Sequence, residues 1–229
     1  FSESYKAIRD CCRDLHFEQN TNLPIVAGNV SFYNQSKDGA IPSSPMIGCF
    51  GKIYDVKNSI KNSFQSENSS IFLLGEGQTN LGGSIIVDLL NIQNNDVCKI
   101  PTKEYSLMLN AITKLGVKNL VESSRVVSRG GVATAIFKMA FKNNIGAKIN
   151  LGCSAFSEQL FNENLSILLE INENNVSLVK NLLERKKIPF NIIGVTNSKN
   201  SIIINDKVDL LVGKAKEVWR NSLREDLLS

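Results

Sequence analysis

The sequence predicts a layered α/β (α+β) protein in which a mixed sheet is packed with helices. Three observations lead there. Hydrophobic residues make up 42% of the 229-residue chain and charged residues 21%, the balance of a packed core rather than of disorder. Short apolar runs such as Ser70-Ile71-Phe72-Leu73-Leu74 alternate with stretches whose apolar residues recur every three or four positions. Glycine and asparagine punctuate the joints between them. Elements alternating in this way bury their apolar faces by stacking in layers.

Phe1, Tyr5, Ile8, Cys12 and Leu15 share one face, so residues 1–16 are expected to be helical. A polar loop at 17–23 leads to a short strand at 24–27, which enters a turn at Gly28; another loop covers 34–39. Ile41-Pro42-Ser43-Ser44-Pro45 is a stiff extended link, because proline disfavours helix at the residue before it. A domain boundary is placed there, dividing 1–42 from 43–229. Next come a strand at 46–53, a short helix within 55–62, a buried strand at 70–74 broken by Gly75, and a helix from Gly82-Gly83 to Leu90. Tyr105, Met108, Leu109, Ile112 and Leu115 form a helical stripe closed by Gly116 as its C′ residue. A strand at 119–127 precedes a helix opened by Gly130-Gly131, with Val132, Ile136, Met139 and Ala140 inward. The remainder reads as strands 147–151 and 165–171, helix 174–186, strands 189–196 and 201–204, and helix 206–221. Trp219 on that last helix is expected to anchor the core.

The formal net charge is +4, with lysines and arginines dispersed and nearly balanced by acids. Without a basic stripe interleaved with aromatics, no nucleic-acid partner is expected. No apolar run reaches membrane-spanning length and no signal peptide is visible, so no membrane partner is expected either. Cys11, Cys12, Cys49, Cys98 and Cys153 lack CxxC spacing, and His16 is the one histidine. That pattern argues against a metal cluster, a disulfide framework or a Ser/His/Asp set, and suits a reducing cytoplasm. The chain opens at Phe1 inside an amphipathic pattern and is expected to be a fragment of a longer protein.

Three glycine-bearing segments carry the candidate chemistry. In Gly28-Asn29-Val30-Ser31, a short apolar run delivers a glycine and small polar residues. Spacing alone leaves two readings: an Asx- or Ser-stabilised turn, the commoner use of such residues, or a ligand site. In the second, Gly28 admits a nucleotide close to the backbone, the Asn29 carbonyl oxygen serves a hard divalent cation, and Ser31 bonds a substrate. Gly75-Glu76-Gly77-Gln78-Thr79-Asn80-Leu81-Gly82-Gly83-Ser84 has the outline of a phosphate cradle but lacks the G-K-[ST] ending. Anion binding and close helix–sheet packing are equally served by it. Ser128-Arg129-Gly130-Gly131 opens a helix and reads either as an N-cap by Ser128 or as an anion site.

Leu23 to Asn34 closely resembles the Pro-Val-Val-Gly-Gly-Asn-Val-Ser-Phe-Tyr-Asn stretch of the synthetase subunit in the small-type phosphoribosylformylglycinamidine synthase family. The likeness continues through Ala40-Ile41-Pro42, Pro45 and Ile47-Gly48, then Phe72-Leu73-Leu74-Gly75-Glu76, Leu81-Gly82-Gly83-Ser84, Gly130-Gly131-Val132-Ala133 and Val218-Trp219-Arg220-Asn221-Ser222-Leu223. It runs in order over nearly the whole chain.

The resemblance implies a fold like the carboxy-terminal domain of aminoimidazole ribonucleotide synthetase (PurM-like). Residues 1–42 would end the second amino-terminal domain, and 43–229 would form the second carboxy-terminal domain. It implies a carbon–nitrogen ligase that uses ATP and magnesium to convert formylglycinamide ribonucleotide to its amidine in purine biosynthesis, with glutamine as amide donor. A glutaminase subunit and a small bridging subunit would be its partners in the cytoplasm. Gly28 would contact ATP, Asn29 magnesium and Ser31 the ribonucleotide. No catalytic residue is expected here, because the family's catalytic histidines and ATP-binding lysine lie in its first half. Where the family reads His-Asp-Val-Ser-Glu-Gly-Gly, this chain has Arg125-Val126-Val127-Ser128-Arg129-Gly130-Gly131, without the imidazole and the acids. The alternatives are another ATP-using enzyme of the superfamily, of selenophosphate synthetase or thiamine-monophosphate kinase type, and a non-catalytic scaffold half.

Overall fold

Helix α1 (Ser2–Asp14) forms where the apolar stripe places it, and Asp14 ties its end to a later helix by accepting from Thr102 Oγ1 at 2.6 Å. The computed structural model describes residues 2–17, 21–29, 35–40, 44–75, 80–93, 96, 100–152 and 156–228. Two short antiparallel ladders follow α1. β1 (His16–Phe17) pairs with β2 (Thr21–Asn22), and β3 (Gln35–Ser36) with β4 (Gly39–Ala40).

The strands expected at 24–27 and 46–53 do not form. No described strand pairs with either segment, and an unpaired strand has no ladder for its N–H and C=O groups. Ile25 and Val26 are exposed, and Met46 and Phe50 are fully so. Within 55–62 there is only a 3₁₀ turn at Val56–Asn58, capped by Asp55, whose carboxylate accepts from Lys57 N–H at 2.9 Å.

Beyond it the chain builds a seven-stranded mixed sheet. Its strands are β5 (Ser70–Leu74), β6 (Ser123–Val126), β7 (Gly146–Ile149), β8 (Ile167–Ile171), β9 (Phe190–Asn197), β10 (Ser201–Ile204) and β11 (Val208–Leu211). The spatial order is β11-β10-β7-β9-β5-β8-β6; β10 and β7 run parallel and every other neighbouring pair antiparallel. The helices are α2 (Ile85–Leu89), α3 (Thr102–Val117), α4 (Gly131–Ala140), α5 (Phe156–Phe161), α6 (Val176–Arg185) and α7 (Val212–Leu228).

Period-two alternation distributes the strand residues between two cores. Phe72 and Leu74 of β5 join Ile167, Leu169 and Ile171 of β8 beneath α3 and α6. Ile71 and Leu168 face the opposite layer, where α4, α5 and α7 cover β7 and β10. All of Val132, Ile136, Met139 and Ala140 on α4 are buried, as their spacing predicts.

Three local expectations give way to packing. Gly116 lies inside α3 rather than after it; a Cβ there would sit 2.8 Å from Ile60 Cδ1, so the glycine is a contact point, and the left-handed residue after the helix is Asn119 (φ 54°). Residues 208–211 are strand, not helix. Asn205 and Asp206, both left-handed (φ 50° and 52°), fold them back onto β10, and α7 begins at Val212. Helix α5 was hidden in the sequence by its short length. Trp219 is 54% exposed; its ring lies 5.5 Å from Phe141, covering the core from outside rather than anchoring it.

Glu170 sits in β8 with no exposed surface. Its carboxylate accepts from the N–H groups of Gln65 and Ser66 at 2.9–3.0 Å and from Ser123 Oγ at 2.6 Å, holding the incoming segment onto β8 and β6. Burial pushes its pKa up, and these three donors only partly offset that. An acid raised on folding is destabilising when ionised. The folded state should therefore lose stability as pH climbs from the unfolded-state value of about 4.3 through the raised one. Chemical denaturation of Glu170→Gln across this window should show a flatter pH dependence than the parent chain. A second prediction concerns Gly194 in β9, where a Cβ would collide with the Lys148 carbonyl of β7 and lie 3.0 Å from Ile149 Cα. Gly194→Ala should lower unfolding free energy by about 1–3 kcal/mol, measured by urea titration.

Candidate functional site

The segment that ends in Gly28–Asn29 is irregular and exposed throughout, from Pro24 to Asn29. Gly28 has no left-handed φ, and a Cβ there would meet nothing within 4 Å among the described residues. The chain's own backbone therefore does not demand a glycine, contrary to the expected tight turn, and the space beside it is open to an approaching group. Leu23 N–H donates to the Cys12 carbonyl at 3.0 Å, fixing the entrance to the bend against the end of α1. Ser31, the third residue expected here, lies outside the described residues, as do Glu76–Thr79 of the first glycine loop.

No group of three or more His, Cys, Asp or Glu among the described residues is placed to hold a metal ion. The carboxamide oxygen of Asn29 suits magnesium as one neutral ligand of an octahedral set, whose other positions phosphate oxygens and waters commonly fill.

The two other glycine segments come together at one place, which the sequence did not reveal. Helix α2 begins at Ile85 and α4 at Gly131, and one carboxylate serves both starts. Glu163 Oε1 accepts from Ile85 N–H at 3.0 Å and from Gly130 N–H at 2.8 Å. Backbone donors that read as an anion site are thus occupied by an internal anion. Ser128 does not cap α4 with its side chain; Gly130 takes the N-cap position in the left-handed region (φ 84°). Gly131 is needed for closeness, since a Cβ would lie 2.7 Å from the Leu160 carbonyl oxygen. Asn164 adds a bond from Nδ2 to the Asn80 carbonyl at 3.2 Å. Segment 162–166 is therefore the knot to which both glycine loops are tied. The available signal was the polar triple Asn162-Glu163-Asn164 between apolar neighbours.

Arg125 has a structural task. Its guanidinium donates to the Asn62 carbonyl at 3.0 and 3.3 Å.

Beside the knot lies a cavity of about 300 Å³. Leu73, Val132, Leu151 and Ile193 supply apolar wall, and Asn150, Gln159, Asn162 and Asn191 supply carboxamides.

The fold defines a class: a layered domain with a mixed sheet between helices, its glycine loops gathered over one sheet end. Residues 67–207 match the family described as AIR synthase related protein, C-terminal domain. The chain belongs to that family. Among relatives, it is 29% identical to phosphoribosylformylglycinamidine synthase subunit PurL of Alkaliphilus metalliredigens over 98% of this chain and 30% of that protein. It is 30% identical to the same-named subunit of Thermoanaerobacter pseudethanolicus over 91% of this chain and 29% of that protein. The chain thus spans about 30% of the length of these curated relatives. Thermotoga maritima PurL complexed with FGAR superposes with a TM-score of 0.58 at 14% identity, covering 70% of this chain and 30% of that one. The T. maritima PurL–ATP complex gives 0.55 at 12% identity, over 70% of this chain and 28% of that one. These two structures show the shared fold.

Removing the Glu163 carboxylate leaves two helix-start N–H groups without their acceptor. Glu163→Ala should therefore cost roughly 1–3 kcal/mol in unfolding free energy, and Glu163→Gln, whose amide oxygen still accepts, distinctly less. Urea denaturation of both variants checks this.

Proposed function

We propose that this chain is the carboxy-terminal part of the synthetase subunit of phosphoribosylformylglycinamidine synthase. In this reading residues 1–42 close the second amino-terminal domain, and 43–229 form the second carboxy-terminal one. The observation that supports it most is the collinear likeness of nearly the whole chain to subunits bearing that name. The exposed Gly28–Asn29 bend is compatible with it.

The reaction is a carbon–nitrogen ligation. ATP transfers its terminal phosphoryl group to the amide oxygen of formylglycinamide ribonucleotide, turning that oxygen into a leaving group. Ammonia attacks the amide carbon, the carbon–oxygen bond breaks, and phosphate departs to give the amidine. Magnesium, when bound with the triphosphate, neutralises charge that would otherwise oppose the transfer. Within this chain, Gly28 lets the nucleotide approach the backbone, Asn29 offers its side-chain oxygen to the metal, and Ser31 bonds the ribonucleotide. The catalytic base and the lysine belong to the remainder of the protein. Glutamine-derived ammonia comes from a glutaminase subunit joined through a small bridging subunit, and the assembly works in the cytoplasm.

The test is Asn29→Ala in the intact protein, assayed for ammonia-dependent amidine formation across a magnesium titration. Outer-shell partners of metal sites already cost about 10–100-fold when removed, so loss of a direct ligand should lower turnover by at least that range and raise the magnesium requirement. The melting transition of the variant is recorded alongside, so that a loss of fold is told apart from a loss of metal binding. Unchanged turnover with unchanged magnesium dependence would overturn the assignment.

A further inference from the structure

The cavity beside segment 162–166 is built, not incidental. Its walls are fixed by bonds between side chains and backbone. Asn205 clamps one wall reciprocally: its Oδ1 accepts from Leu151 N–H at 2.7 Å and its Nδ2 donates to the Leu151 carbonyl at 2.6 Å. A second wall follows a β-bulge. The register of β9 against β5 passes from Gly194 opposite Ile71 to Ile192 opposite Phe72, leaving Ile193 without a partner on β5. The Ile193 carbonyl instead accepts from Asn150 N–H at 2.6 Å. The third wall is the knot held by Glu163 and Asn164.

Against these fixed walls Asn164 spends its amide on the Asn80 carbonyl, while four other side-chain amides keep hydrogen-bonding capacity. Asn162 is only 7% exposed. Its Oδ1 accepts from Asn164 N–H at 2.6 Å, which sets the orientation of the group, while its Nδ2 makes no hydrogen bond among the described residues. The side chains of Asn150, Gln159 and Asn191 likewise make none among the described residues. Asn162 thus reaches the cavity with its N–H₂ donors unspent, beside the exposed amides of Asn150 and Asn191, and water serves these groups until a ligand displaces it.

The lining also limits the ligand. No ionisable side chain lines the cavity among the described residues. The neighbouring carboxylate of Glu163 is committed to helix-start amides and opposes a second anion. Carboxamides present a donor and an acceptor side by side, the pattern that matches the edge of a heterocyclic base. The volume is at the lower end for small-molecule pockets, enough for a nucleoside but not for its polyphosphate.

We infer that this cavity binds an uncharged nucleoside-sized heterocycle, read by the carboxamides of Gln159, Asn162 and Asn191 and excluding phosphorylated forms. It is a site distinct from the Gly28–Asn29 bend.

The test uses hydrogen–deuterium exchange on the intact protein, titrated separately with adenosine and with AMP. Adenosine is expected to slow exchange in segments 150–152, 162–166 and 190–193 together, and AMP to require at least about ten-fold higher concentration for the same protection. The doubly substituted Gln159→Ala/Asn191→Ala protein, whose changes fall on residues without structural hydrogen bonds, should keep its melting temperature. It should lose roughly ten-fold or more in adenosine affinity at these segments. No protection by adenosine would mean a cavity filled by solvent only and would overturn the inference. So would equal protection by AMP, or undiminished adenosine binding by the double variant.

Discussion

Burial of β5 and β8 on both faces is the constraint on which the rest of this structure depends. Ile71, Phe72, Leu74 and all five residues of β8 are buried, so their backbone groups cannot turn to water and must be paired along the sheet. That requirement makes the close approaches costly to disturb. Gly194 lets β9 lie against β7, and Glu170, an acid inside β8, is tolerated because three donors converge on it. Unpaired, its carboxylate would be far more costly there.

The same economy of pairing organises the sheet end. Glycine loops before α2 and α4 each present a helix-start N–H that needs an acceptor. In many folds a phosphate meets that need. Here Glu163 does so for both, from a segment that precedes β8. The consequence is two glycine loops tied to one segment, beside a cavity whose described lining is apolar side chains, carboxamides and a serine. An internal anion thereby turns what resembles a phosphate cradle into the frame of an uncharged cavity.

What the sequence discloses follows the range of the interactions involved. Strands whose character is local and strong, such as Ser70–Leu74 and Ser201–Ile204, stand where their apolar runs place them. So does α4, whose inward residues have helical spacing. Val208, Leu211, Val212 and Ala215 satisfy a helical period, yet the first two lie in a strand, because left-handed Asn205 and Asp206 bring a ladder partner within reach. Ile25, Val26, Met46 and Phe50 look like strand residues but pair with nothing described, and pairing is a long-range property that an apolar run cannot express. At the candidate site, Gly28 and Asn29 were visible as a motif, whereas Glu163 is linked to Ile85 and Gly130 across 78 and 33 positions of sequence. No local pattern announces a contact of that span.

The family membership rests on the domain from 67 to 207, while the proposed chemistry rests on a bend that lies before it. The two are connected through α1, whose Asp14 meets Thr102 at the start of α3. The most direct measurement is anomalous diffraction from crystals of the intact protein holding a non-hydrolysable ATP analogue, with manganese in place of magnesium. Our account predicts an anomalous peak roughly 2.0–2.3 Å from the Asn29 side-chain oxygen, at a distance typical of a hard cation and an oxygen ligand. A fully occupied nucleotide–metal site elsewhere, with the Gly28–Asn29 bend still facing solvent, would contradict it.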